Sequence, residues 1–158
     1  MSKICCFTGS RDIDDFNASD ISRALEEVLV NLIENEDYTD FRAGGAVGFD
    51  TIAALCVLNL KRRYPHIKLH LFLPCKNQDK FFSLWERKYY FQTIKYADSI
   101  TYTQEHYSDS AMMKRNMAMV DGSDICVAFL TKLTGGTYNT VKYAKRKNVP
   151  VKNIRNLV

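Results

Sequence analysis

The chain has 158 residues, 46% of them apolar and 25% charged, with a net charge of +4. That length and balance are those of an ordinary soluble globular protein with one domain and a core of its own. No run approaches the roughly 18 apolar residues that a membrane span needs, and "MSKICCFTGS" holds too short an apolar run for a signal peptide, so membrane and secretory classes are set aside.

In chain order, "KICCFTG" is an apolar run that predicts a buried strand, and Ser10-Arg11 open the loop after it. From Ser19 to Glu36, Ile21, Leu25, Val28, Leu29, Leu32 and Ile33 recur at helical spacing, with Ser19 or Asp20 as the cap. "DFRAGGAVGFD" is a short strand that breaks at Gly44-Gly45, and a helix follows from Phe49 to Arg63, ending before Pro65. "IKLHLFLP" is a strand stopped by Pro74, "SLWERKYYFQTIKYA" an aromatic helix, and "DSITYT" another strand. "SAMMKRNMAMVDGS" is a helix closed near Gly122, and "DICVAFL" a buried strand. The loop through Gly135-Gly136, a helix from Thr137 to Lys147 and a last strand in "VPVKNI" complete the chain.

The five cysteines include no CxxC pair and no zinc-ligand spacing. Four lie in apolar stretches, where cysteine acts as a small hydrophobe, and a reducing cytoplasm is the expected compartment. Cys75, after Pro74 at a strand end, is expected to be exposed. Charge is unevenly spread: ten acidic residues precede Phe41, while all seven charges after Asp124 are basic. Such asymmetry attracts phosphates or nucleic acid, but "KYAKRK" by itself reads as a solvated helix face.

Six strands alternating with five helices predict a mostly parallel sheet with helices on both faces, a single Rossmann-like α/β domain over residues 1–158. In such folds ligands bind at the carboxyl edge of the strands. The loops at Gly9, at Gly44-Gly45 and at Gly135-Gly136 all follow strands and are expected on that edge. Helix N-termini there offer unpaired N–H groups and a positive dipole end to a phosphate. No GxxxxGK[ST] occurs, no GxGxxG follows the first strand, and His66, His70 and His106 form no metal spacing. His70, alternating with Leu69 and Leu71, reads as structural. No GxSxG elbow is present, and neither a cofactor nor a metal is expected.

"FRAGGAVGFDTIAA", "LHLFLPC", Trp85 and Tyr89 before "YADSITY", "RNMAMVDGSDICVAFL" and "GGTYNTVKYA" follow in an order and spacing that resemble the YpsA-like branch of the SLOG superfamily. That superfamily groups Rossmann-like domains related to Lonely Guy phosphoribohydrolases and to DNA-processing proteins. The resemblance implies a nucleotide-related ligand at the carboxyl edge. By position, "TGSR" would contribute Gly9, Ser10 and Arg11, and "GGAVGFD" Gly44, Gly45, Gly48 and Asp50. The Lonely Guy pattern MxxRKxxM is similar to Met112, Arg115 and Met119 here, with Asn116 in place of the lysine. Of PGGxGTxxE, only Gly135, Gly136 and Thr137 fit, and the glutamate position is Thr140.

These residues have physical readings of their own. Arg115 is read as a surface-facing arginine able to grip phosphate or ribose oxygens, with Asn116 adding a donor and an acceptor. Thr137 and Thr140 supply hydroxyls at a helix start that either contact a phosphate of the ligand or cap the helix, and Asp50 either binds a ribose hydroxyl or holds its loop. Trp85 and Tyr89 share a helical face and read as core. The favoured function is binding of a nucleotide-type small molecule, NAD- or ADP-ribose-like or a nucleoside phosphate, for sensing or sequestration. An N-glycosidic nucleoside-monophosphate hydrolase is the alternative, against which stands Thr140 in place of the glutamate. Nucleic-acid binding is a third reading, which the resemblance to DNA-processing proteins and the basic C-terminus suggest; nucleic acid is disfavoured as a partner, because the basic C-terminal helix lacks the interleaved aromatics that single-strand binding uses. Related domains often dimerise, and a homodimer stays open.

Overall fold

A computed structural model of the chain describes residues 2–108 and 110–158. The apolar run Lys3–Gly9 forms β1, which pairs in parallel with β2 (Tyr38–Ala43) on one side and with β5 (Ile125–Phe129) on the other. Beyond β2 lie β3 (Lys68–Leu73) and β4 (Ser99–Tyr102), and beyond β5 lies β6 (Val151–Asn153), giving the order β4-β3-β2-β1-β5-β6 with every pairing parallel. Side chains on a strand alternate between faces, so β1 feeds two cores. Cys5 and Phe7 join the larger apolar cluster, whereas Cys6 joins the smaller one.

The larger cluster lies under α1 (Ala18–Glu36), α2 (Phe49–Lys61) and α3 (Leu84–Tyr96), and the smaller under α4 (Ala111–Val120) and α5 (Gly136–Arg146). Two 3₁₀ turns, Gln78–Phe81 and Ile154–Leu157, complete the elements. Ile21, Leu25, Leu29, Leu32 and Ile33 bury their side chains as the spacing predicts. The α1 cap is Asn17, whose side chain accepts from the Ser19 N–H at 2.8 Å, in place of the expected Ser19 or Asp20. His70 bridges three strands, its ring nitrogens 2.7 Å from Asp40 Oδ2 and 2.6 Å from Ser99 Oγ. All five cysteines are free and buried, including Cys75, which lies just before a 3₁₀ turn whose Gln78 is buried as well, so the strand end it follows is covered and not open to solvent. Among the described residues, no helix is long and apolar enough to cross a membrane.

The helix α3 is the exception to the two-layer pattern. It packs chiefly on α2, and only Tyr90 and Thr93 of it are buried. Trp85 is 68% exposed and Tyr89 is on the surface as well, which corrects their reading as core.

Candidate functional site

Successive strands run outward from β1 through β2, β3 and β4, and then the chain crosses back to place β5 on the other side of β1. Loops leaving β1 and β5 therefore diverge to opposite faces, and the gap between them is where a doubly wound sheet opens a crevice. A cavity of about 420 Å³ lies there. Its walls are the β1 loop (Thr8 to Asp12), Ala46 and Asp50 before and in α2, Met112, Arg115 and Asn116 on α4, and the stretch from Leu130 to Thr137 that enters α5.

The three glycine loops do different work. A Cβ on Gly9 would stand 2.3 Å from the Phe49 ring, which fills that space and stacks on Phe129 at 5.7 Å. A Cβ on Gly44 would stand 2.5 Å from Arg115 Nη1 and 2.8 Å from Asp50 Oδ2. Gly45 likewise makes room for Leu73. These glycines admit protein atoms. Gly136 differs, since nothing lies within 4 Å of where its Cβ would be. Gly135, at φ +90°, is the N-cap of α5, and no side chain caps the turn. The first N–H groups of a helix have no intrahelical acceptor, so this end presents bare donors to the cavity. Thr137 is thus inside the helix and not its cap, because the turn closes at Gly135.

Arg115 lines the cavity from within the protein. It is 3% exposed, which corrects its reading as a surface residue. Its Nη1 donates to the carbonyl oxygens of Gly44 and Phe72, and its Nε donates to Asn116 Oδ1 at 2.8 Å. With that oxygen engaged, the Asn116 amide N–H₂ is the group left to face the cavity. Asp50 is also buried and accepts from the Ala46 N–H at 3.4 Å, so it holds the loop as well as lining the pocket. Burial pushes the Asp50 carboxyl up from its ordinary value, opposed by the Arg115 charge and by the Ala46 N–H. Burial pushes Arg115 down, opposed chiefly by Asp50.

Gly9, Ser10, Arg11, Asp50, Arg115, Asn116, Gly135, Gly136 and Thr137 are all brought to the cavity wall. Gly44, Gly45, Gly48 and Thr140 are not among its lining residues. Thr140 is 1% exposed and turns its hydroxyl back to donate to the Gly136 carbonyl at 2.8 Å. The sequence reading missed Asp12, Lys132 and Thr134 on the wall. Lys132 had a signal, being basic and three residues before the glycine that caps α5; Asp12 had none. Arg11 and Lys132 are exposed cations on the cavity wall, and Lys132 Cε lies 4.0 Å from where a Cβ on Gly135 would stand. The arrangement suits an anion at Gly136 with polar groups around it. Among the described residues no cluster of His, Cys, Asp and Glu is placed to hold a metal.

A model of the YspA SLOG family matches residues 8–156. The chain is 35% identical over 134 residues to the SPbeta prophage-derived protein YoqJ of Bacillus subtilis (strain 168), covering 77% of this chain and 78% of that one. It is 31% identical over 106 residues to a UPF0398 protein of Halalkalibacterium halodurans, covering 66% of this chain and 56% of that protein. Among solved structures, DNA processing protein A of Helicobacter pylori, described by its single-stranded DNA binding mode, superposes with a TM-score of 0.66 at 17% identity, covering 98% of this chain and 70% of its own. DNA processing protein A of Streptococcus pneumoniae gives 0.65 at 14% identity, over 95% of this chain and 49% of its own. At those identities the likeness is one of fold. It nonetheless corrects the expectation against nucleic acid, since the same fold carries single-stranded DNA binding in one of these proteins. That expectation weighed aromatics only beside α5, whereas the exposed rings Trp85, Tyr89, Phe91 and Tyr96 lie on α3.

Proposed function

The chain belongs to the YspA SLOG family, and from the cavity at its strand crossover we propose that it binds a phosphate-bearing nucleotide or nucleotide-derived small molecule. An NAD- or ADP-ribose-type molecule or a nucleoside phosphate, held for sensing or sequestration, fits the size and polarity of the walls. The observation that carries the reading is the uncapped start of α5. Gly136 leaves its N–H groups open to the cavity, with Arg11 and Lys132 at the mouth. A helix N-terminus joined to two cations is a site for a phosphate group. Asn116 and the threonine hydroxyls of the wall supply the neutral polar contacts that a ribose would use.

A melting-temperature panel of ADP-ribose, NAD and nucleoside monophosphates tests this. One of them at about 100 times its dissociation constant is expected to add roughly 2.7 kcal/mol. Gly136→Glu is the matched control. An acidic side chain in the first turn suits the helix dipole, and the site has room for it, so the fold is expected to survive while the ligand response is lost. A Gly136→Glu variant that melts normally and still responds to the ligand would remove the α5 N-terminus from the site.

Binding without turnover is the second expectation. Hydrolysis of a ribosyl–base bond draws on general acid or base help worth about 10²- to 10⁴-fold. Thr140 stands where the Lonely Guy glutamate would be, and its hydroxyl is spent on the Gly136 carbonyl. The carboxyl groups that reach the wall are Asp12, which accepts from the Asp14 N–H at 3.1 Å, and the buried Asp50. Incubation with AMP is expected to release no adenine above background. Release that Asp50→Asn abolishes would make the protein an enzyme.

A further inference from the structure

Most of the large apolar side chains that the fold leaves exposed fall between residues 81 and 107, and α3 carries the densest part of them. Residues seven apart on a helix lie about two turns apart on one line. Lys88 and Lys95 therefore form a basic lane along the exposed side of α3. Trp85, Tyr89 and Tyr96 form a lane on one flank of it, and Leu84 and Phe91 lie on the other. Lys88 sits 5.1 Å from the Trp85 ring centre and Lys95 5.4 Å from that of Tyr96. Beside the start of the helix, Lys80 lies 5.4 Å from the ring of Phe81, itself 89% exposed. Among the described residues, none of these three lysines has an acidic partner within ion-pair distance. The acids of the segment are engaged elsewhere, Glu86 in the capping box with Ser83 and Asp79 with Arg87.

We propose that this face of α3 binds a single strand of nucleic acid, its bases stacked on the Trp85 lane and its phosphates on the lysines. The pattern selects among occupants. A second copy laid on the face would bring lysine lane against lysine lane, and like charges across an interface repel. A bilayer would have to take the ammonium groups at the centre of the apolar face, where a membrane-surface helix keeps its cations on the opposite side. A base-paired duplex hides its ring faces. A single strand offers both halves of the match, regularly spaced negative charge and flat rings free to stack, which is how sequence-tolerant single-strand binders work. No group on the face singles out a base or a 2′-hydroxyl, so DNA and RNA strands of any sequence are expected to bind.

Trp85 is the only tryptophan of the chain, so its emission reports on the face directly. The full chain is titrated with fluorescein-labelled oligothymidylate or oligouridylate of about 20 nucleotides at low salt. The expected result is quenched Trp85 emission with rising anisotropy, for either sugar, and weaker binding of a blunt duplex. Lys88→Ala with Lys95→Ala should weaken binding at least tenfold and lower the slope of log affinity against log salt by about 1.4, at about 0.7 per lost phosphate contact. Trp85→Ala should weaken it at least about fivefold, the lower end for one stacked base. All three residues are exposed, so these variants should fold. AMP, bound in the crossover cavity, should leave Trp85 emission unchanged, and Gly136→Glu should leave oligonucleotide affinity unchanged, so this proposal and the cavity reading fail separately. The proposal is overturned by absence of quenching at low salt, by full affinity in the double lysine variant, or by polyglutamate binding as tightly as the oligonucleotide. Loss of binding in Gly136→Glu with retention in the lysine variant would also overturn it, placing the strand in the cavity.

Discussion

Arg115→Ala is expected to destabilise the fold by roughly 3–5 kcal/mol, the usual cost of removing one member of a buried charge pair. Its melting midpoint should fall by about 10 °C. The side chain satisfies the Gly44 and Phe72 carbonyls at the ends of two neighbouring strands, and it stands across Gly44 from Asp50. Truncation leaves those carbonyls without their donor and the Asp50 carboxylate without its main opposing charge. The pH dependence identifies the second effect. A carboxyl raised above its unfolded value costs stability while it is ionised, and that cost shrinks as pH falls through the folded value toward the unfolded one near about 3.9. Burial already raises Asp50, and loss of Arg115 raises it further, so the variant's deficit should be largest at neutral pH and narrow on acidification. Asp50→Asn in the Arg115→Ala background should recover part of the loss, as a coupling measured by double-mutant cycle. A deficit that is the same at every pH and untouched by Asp50→Asn would mean that the carbonyl contacts alone account for it.

This role bears on how loss of ligand binding is to be read. Arg115 lies on the cavity wall, but its strongest contacts are with the protein, and it positions the Gly44 loop and α4 against each other. Arg42 acts in the same sense at the other end of α4, donating to the Met119 and Asp121 carbonyls at 3.0 and 2.7 Å. A ligand defect in Arg115→Ala therefore mixes lost contact with a loosened wall, whereas Gly136→Glu changes only the mouth.

Periodicity made the alternation of strands and helices legible, because it depends on apolar spacing that the sequence displays directly. It left α3 misread for a physical reason. An aromatic stripe marks a side that packs on something, and a helix lying chiefly on α2 has less to pack on than one lying on strands. Nothing local to "SLWERKYYFQTIKYA" records that position. The inward turn of Arg115 was hidden in the same way, since its acceptor at Gly44 is 71 residues away. The gathering of the β1 loop, α4 and the α5 start at one edge was legible, because parallel topology alone puts those loops there.

The glycines are where sequence and structure part most usefully, and Gly48→Ala against Gly136→Ala separates their roles. Gly48 has φ +78° and ψ −127°, a backbone conformation that side chains other than glycine's scarcely reach. A Cβ there would stand 2.3 Å from the Arg11 carbonyl oxygen and 2.7 Å from that of Ser10. Both neighbours are backbone, and the Ser10 oxygen also accepts from the Phe49 N–H at 3.1 Å, so relief requires moving the β1 loop against α2. Backbone strain and collision together are expected to cost roughly 3 kcal/mol or more, and since Ser10 and Arg11 line the cavity, ligand affinity should fall with stability. Gly136 is in the first turn of α5 with open space around it. Alanine there is expected to be neutral or to stabilise by up to about 1 kcal/mol, the helix preference of alanine over glycine. It should weaken ligand binding all the same, because its methyl group stands where a phosphate would approach the bare N–H groups. Thermal melts of the two variants with and without the responding nucleotide read both effects. Equal stability losses at the two positions would overturn the division between a glycine that fits protein against protein and one that leaves room for a ligand.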